Sequence, residues 1–335
     1  MVIAMFMTTV ESKTPSNSEK TNLPNKTLQV LFGREETRCV STENGIDLYV
    51  KIPVLGQDSR ERIASQPGRI HSRLGFQLIE SEEYLAGVLV KEVDFPLEKA
   101  AYEVYMDFLE LTKDWNLFRV WNYVPYINNE TSALENYKSF CKGRSLAFEA
   151  FYGTDFEVKL PAASAVGIND RKLVLYFIAG KAEATHIENP EQVSAFKYPQ
   201  QYGPRSPSFA RGTVIELGGK RVGYLSGTAS IKSHKSVTLS DVAEQMYTTL
   251  DNMSLVFMNM GLVHERMSFG SLMPDSAKYD RFFKVYIRRE SDAAIVRELF
   301  PQSILATEED HIIYLRSDIC RYELDIEIEA VIQEK

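Results

Sequence analysis

The 335-residue chain carries 38 Lys and Arg against 46 Asp and Glu, giving a net charge of −8 and a pI near 5.4. That balance argues against a general nucleic-acid binder, which needs a basic face, and requires any anionic ligand to be met by a local cluster of Arg or Lys. At 44 % hydrophobic residues a packed core is expected, in two domains or one double-sized α/β unit.

Residues 1–26 read as a mobile polar tail, too short in its apolar start for a signal-peptide core. Residues 27–34 (TLQVLFGR) and 45–54 read as strands, and the polar stretch 58–74 as a loop. Residues 84–93 form the next strand. Pro96 then opens a helix over 97–112, with Ala100, Val104, Phe108 and Leu111 on one face. A strand over 117–123 ends at Pro125. The spacing predicts a second helix over 132–152, capped by Ser132 with Glu135 in the capping-box position. The same order recurs about 140 residues downstream, an internal duplication. It runs as a strand over 221–231, a long helix over 240–260 capped by Ser240, a strand over 281–288, a short helix over 291–300 and a closing pair of strands over 311–332. The boundary is expected near 153–166, dividing the chain into 27–155 and 156–335. The fold class is α+β, each half a sheet with helices on one face.

Cys39, Cys141 and Cys320 contain no CxxC pair, and His71, His186, His234, His264 and His311 fall in no HxH or HExxH spacing. Neither a disulfide framework nor a metal site is predicted, and a reducing cytoplasm is the simple reading. No apolar run approaches the roughly 18 residues of a membrane-spanning helix.

The segment CRYELDIEIEAVI (320–332) carries the strongest chemical signal. With a period of two, Glu323, Asp325, Glu327 and Glu329 share one face, neighbours about 7 Å apart. Shielded from water, such crowding raises carboxyl pKa values and makes a general acid; on an edge strand it would be merely a solvated acidic face. The loop YPQQYGPRSPSFARGT (198–213) is stiffened by Pro and Gly and offers Arg205 and Arg211 beside Tyr202 as carboxylate forks, or as ordinary surface arginines. Arg144 lies on the second helix, facing a cleft or a surface salt bridge. An unbroken strand would turn Cys320 away from Glu327, so a bend is needed to unite them. Otherwise Cys320 is a buried small hydrophobe.

Six segments, RVWNYVPYIN (119–128), FCKGRSLAF (140–148), LPAASAVG (160–167), the 198–213 loop, SGTASI (226–231) and DICRYELDIEIEAV (318–331), make the chain resemble the chorismatases. Its second half alone also resembles the RidA (YjgF-like) fold. The resemblance implies two RidA-like halves and a small-molecule substrate, chorismate. Its enolpyruvyl ether would be protonated by Glu327 and its carboxylates held by Arg205 and Tyr202, with Arg211 and Arg144 as further candidates. It also implies that Cys320 marks the branches giving 3-hydroxybenzoate, alone or with 4-hydroxybenzoate, rather than the hydrolytic branch giving a dihydroxycyclohexadiene carboxylate. Ser233 occupies a product-determining position where the family usually has Gly or Ala. No cofactor is implied, no nucleic-acid or membrane partner, and a monomer is expected. A RidA-type enamine deaminase is the enzymatic alternative, disfavoured because Ile312 stands where that family's substrate arginine would be; a non-catalytic binding module is the other.

Overall fold

The computed structural model describes residues 23–237, 241–263 and 272–335. Strands β1 (Asn25–Leu31), β2 (Arg38–Thr42), β3 (Gly45–Tyr49) and β4 (Arg60–Pro67) form a four-stranded sheet in the order β2-β3-β1-β4. Then follow β5 (Arg69–Arg73), β6 (Phe76–Glu80), β7 (Tyr84–Glu92), α1 (Glu98–Thr112), β8 (Asn116–Pro125), the short strands β9 (Glu130–Thr131) and β10 (Leu134–Glu135), α2 (Asn136–Tyr152), β11 (Ala162–Ile168) and β12 (Lys172–Gly180). The second half contains β13 (Ala184–Ile187), β14 (Gly212–Leu217), β15 (Lys220–Ala229), the short β16 (Ile231–Lys232) and β17 (Lys235–Ser236), and α3 (Val242–Asn259). It ends with β18 (Tyr279–Ile287), α4 (Ala293–Ser303), β19 (His311–Arg316) and β20 (Ile326–Glu334).

The duplication is visible in the strand orders. One six-stranded sheet runs β5-β6-β7-β12-β8-β11 and the other β13-β14-β15-β20-β18-β19, position for position the same. Each has its parallel pair at the same edge, β8 with β11 and β18 with β19. The division therefore falls between Gly180 and Ala184, later than the expected 155/156 boundary, because β11 and β12 complete the first sheet. The small residues of 160–167 are not a linker. An added Cβ on Gly167 would lie 2.7 Å from Ile127 and 3.1 Å from Asp318, so close packing excludes larger side chains there.

Helices α1 and α2 cover one face of the first sheet, and α3 and α4 one face of the second. The bare faces turn toward each other. Trp121, Tyr123 and Tyr176 from the first and Tyr224, Phe282 and Tyr286 from the second pack in this seam with Leu28, Val30, Ile46 and Leu48 of the four-stranded sheet. Each buried side chain of this size stabilises the fold by about 1.5–3 kcal/mol.

Three local expectations change. Residues 58–74 are β4 and β5, not a loop; a register shift opposite Leu28 and Gln29 breaks the alternation that would have announced β4. Helix α2 begins at Asn136. Ser132 and Ala133, with φ of 54° and 60°, form the tight turn between β9 and β10 instead of a cap. Ser240 lies outside the described residues, as does most of the expected tail; α3 is capped by Asp241, whose side chain accepts from the Ala243 and Glu244 amides at 3.0 and 3.1 Å.

Candidate active site

The closing strand is central, not an edge, and its acidic face reduces from four carboxylates to two. Because β20 begins only at Ile326, Glu323 stays exposed in the preceding turn, accepting from Ser236 Oγ at 2.8 Å. Asp325 turns toward α3, bonded by Gln245 Nε2 at 3.0 Å. Glu327 and Glu329 alone point into the seam, each 3 % exposed.

Their environments differ sharply. Glu329 takes Lys284 Nζ at 2.6 Å, Arg119 Nη2 at 2.9 Å, Trp121 Nε1 at 2.9 Å and the Ser164 hydroxyl. Burial pushes its pKa upward, but Lys284 and Arg119 outweigh that and hold it below the ordinary carboxylate value. Lys284 also reaches Glu61 of β4 at 2.6 Å. Among the described residues no such cation pairs with Glu327. Burial and then the charge of Glu329 push it up to about 8, against smaller opposing effects of Arg119 and a hydrogen bond from the Cys320 thiol. Near neutral pH Glu327 is therefore a protonated acid beside an ionised twin.

Backbone geometry makes the space for it. On β15, the pairing with β20 slips between Leu225 and Thr228, so Ser226 and Gly227 form a bulge. A Cβ on Gly227 would lie 1.9 Å from Glu327 Oε1, and the Gly227 amide donates to Ser164 Oγ at 2.9 Å.

Glu327 and Cys320 line a cleft of about 480 Å³ at the junction of the halves, and with Tyr137, Phe209 and Gly227 they also line a neighbouring recess of about 30 Å³ that reaches Arg144. The required bend exists: Cys320 sits in the segment between β19 and β20, which returns it to Glu327. Burial pushes its thiol far up, so it is present as the neutral thiol. Tyr202 and Arg211 line the same cleft, with Lys138 and Arg321. Arg321 lies 3.9 Å over the Tyr202 ring, while Tyr202 Oη meets His234 Nδ1 at 3.1 Å. Arg211 Nη2 donates to Tyr198 Oη at 2.6 Å. Arg144 Nε and Nη2, Arg211 Nε and Arg321 Nη2 are buried without a hydrogen-bond partner. Unpaired buried guanidinium donors are costly, and here they belong to three arginines around one acid. A ligand with two carboxylates would satisfy them.

Two expected residues are placed elsewhere. Arg205 is paired with Glu149 at 2.7 Å, about a third exposed, and is not among the cleft-lining residues. Ser233 stands in the turn between β16 and β17 with φ of 53°, the backbone region that favours glycine, and reaches the cleft wall only through its backbone pairing with Gln192. Gly227, Arg321 and Lys138 were missed as site residues. Only Gly227 carried a signal, a glycine inside a strand pattern, which marks a bulge or a close approach.

Residues 63–179 match the family model described as chorismatase FkbO/Hyg5-like, N-terminal. A 3-hydroxybenzoate synthase of Streptomyces hygroscopicus is 35 % identical over 242 residues, covering 70 % of this chain and 68 % of its own. A chorismatase of Streptomyces rapamycinicus is 34 % identical, with 70 % and 69 % covered. A chorismatase crystal structure superposes with a TM-score of 0.80 at 27 % identity, over 94 % of this chain and 95 % of its own.

Proposed function

The chain belongs to the chorismatase family and is a chorismate-cleaving enzyme, and from that premise we propose that Glu327 is its general acid and 3-hydroxybenzoate its main product. The observation that carries this reading is a neutral, buried carboxyl facing a cleft in which three arginines have unpaired donors. Chorismate brings the complementary groups, two carboxylates and an electron-rich enol ether. Arg211 and Arg321 are in position to take one carboxylate at the cleft wall, and Arg144 the other at the recess. Arg205 would have to leave Glu149 to join them.

Glu327 then gives its proton to the methylene carbon of the enolpyruvyl group. The methylene becomes the methyl of pyruvate and positive charge develops at the ether-bearing carbon. The ring's C4 hydroxyl oxygen then displaces the ether oxygen from C3 and returns its proton to the Glu327 carboxylate, which releases pyruvate and leaves an arene oxide across C3 and C4. Opening of its C4–O bond with loss of the C3 proton, taken up by the oxygen, gives 3-hydroxybenzoate with no net water, whereas direct loss of the ether oxygen and the C4 proton would give 4-hydroxybenzoate. Adding water instead would give the dihydroxycyclohexadiene carboxylate. Proton transfer and charge stabilisation are all these steps need. Cys320 beside Glu327, and the name of the 35 %-identical relative, support the aromatising outcome. The face-to-face packing of both sheets within one chain supports a monomer.

Incubation with chorismate, followed by chromatography and a pyruvate assay, tests the reading. Hydroxybenzoate with equimolar pyruvate is expected, with a loss of roughly 10²–10⁴-fold in Glu327→Gln, the usual contribution of a general acid. Cys320→Ala should move product toward the diene acid. A wild-type enzyme that already makes the diene acid would overturn the product assignment, and an undiminished Glu327→Gln the acid.

A further inference from the structure

We propose that Arg288, at the end of β18 and outside the cleft, is the positioning residue that sets Cys320 and Arg321 in the cleft and thereby governs product choice; this rests on the functional reading above. The segment joining β19 to β20 contains no helix or strand that would hold its shape, yet it carries four residues that line the cleft, Cys320, Arg321, Tyr322 and Glu323. Arg288 is 6 % exposed, and its guanidinium bonds successive points along that segment. Nε donates to Leu324 O at 2.7 Å, Nη1 to Asp318 Oδ1 at 3.1 Å, and Nη2 to Arg321 O at 2.8 Å and Ile319 O at 3.3 Å. Its Nη1 also donates to Asn128 Oδ1 at 2.9 Å, and Asn128 Nδ2 donates in turn to Ile319 O at 3.0 Å.

The carbonyls of Ile319 and Arg321 bracket Cys320, so one planar fork fixes the backbone on both sides of the thiol. A lysine has a single nitrogen and cannot reproduce this spread of bonds. Other tethers act further out. Gly167 N donates to Asp318 O at 2.7 Å, and Arg321 Nη1 holds His234 O and Ser236 Oγ, each at 3.0 Å. Among the described residues the two bracketing carbonyls have one further donor each, Asn128 Nδ2 on Ile319 O and, from within the segment, Leu324 N on Arg321 O at 3.1 Å, and Arg288 alone joins both. Without Arg288 the thiol and the Arg321 guanidinium would lose their fixed places together.

Arg288→Met and Arg288→Lys are compared with wild type for melting temperature, KM, kcat and the ratio of hydroxybenzoate to diene acid. Arg288→Met is expected to lower kcat/KM by about 10²-fold, the cost of misplacing a reacting group by about 1 Å. It should raise KM through Arg321 and shift the product ratio in the direction of Cys320→Ala, with Arg288→Lys in between. In a Cys320→Ala background the Arg288 change should leave the product ratio where it is, because the two act as a unit. A folded Arg288→Met with the wild-type KM and product ratio overturns the proposal. If that variant does not fold, Arg288→Lys and Asp318→Asn give the same readouts. Should wild type make only the diene acid, the product assignment fails, while the KM comparison still decides the role of Arg288.

Discussion

In the first half, β12 places Phe177 beside Gly87, where an added Cβ would lie 2.6 Å from the ring. In the second, β20 places Glu327 beside Gly227, where it would lie 1.9 Å from the carboxyl oxygen. Both halves thus use a glycine on the third strand of their sheet to admit a large side chain from the central strand. Phe177 fills its space from the helix side and joins the apolar core there, whereas Glu327 faces the seam between the sheets. One architecture serves apolar packing in one copy and sets a buried carboxyl beside the cleft in the other. The first half is not inert, since its Arg119, Trp121 and Ser164 hold Glu329 ionised next to the acid.

Exchanging each glycine for alanine breaks the comparison most forcefully. Gly227→Ala should cut kcat by about 10²-fold through displacement of the Glu327 carboxyl. Gly87→Ala should leave kcat alone and cost about 1–3 kcal/mol of stability by overpacking, read from urea titrations. Equal losses of activity in both would remove the distinction between the halves.

Glu329→Gln tests how far the ionised twin acts on the acid. Leaving Lys284 and Arg119 short of a carboxylate should cost about 3–5 kcal/mol. Loss of the negative charge should also move the alkaline limb of the kcat/KM profile to lower pH, because Glu327 would then ionise more readily.

In wild type that limb should fall as pH rises through about 8, as Glu327 loses its proton. The same shift makes a stability prediction. The folded value lies above the 4.5 of an unperturbed glutamate, so the native state holds an extra proton between 4.5 and about 8, and wild type loses stability as pH rises across that window. Glu327→Gln should flatten this dependence in melting curves; an unchanged slope would contradict it.

The smallest effect is expected on the first-half side of the seam. Tyr176→Phe removes the hydroxyl that Lys284 reaches at 3.2 Å, costing about 0.5–1.5 kcal/mol with activity preserved.

The succession of elements and the shared face of Glu327 and Glu329 were legible because they are written locally. Alternation in 326–332 announces β20 and places Glu327 with Glu329, and the spacing of Val242, Met246, Leu250, Met253 and Phe257 announces α3. Asp325 was assigned to the wrong face because the start of a strand is decided by its partners, here β15 and β18. The half boundary was misplaced because small residues chosen for close packing look the same in sequence as a linker. Arg205 and Arg321 could not be told apart by type or spacing. What separates them is the Glu149 beside one and the Tyr202 ring beneath the other, contacts that span 56 and 119 residues of chain.

The charges in the seam come from both halves: Glu61 and Arg119 from β4 and β8, Lys284 and Glu329 from β18 and β20. The first half folding by itself would leave Arg119 and Glu61 without the partners they meet across the seam, and burying either charge alone costs several kcal/mol. The halves are consequently bound into one cooperative unit. Despite two sheets and two helical layers, the described fold should melt in a single transition, with no state in which one half stands while the other is undone.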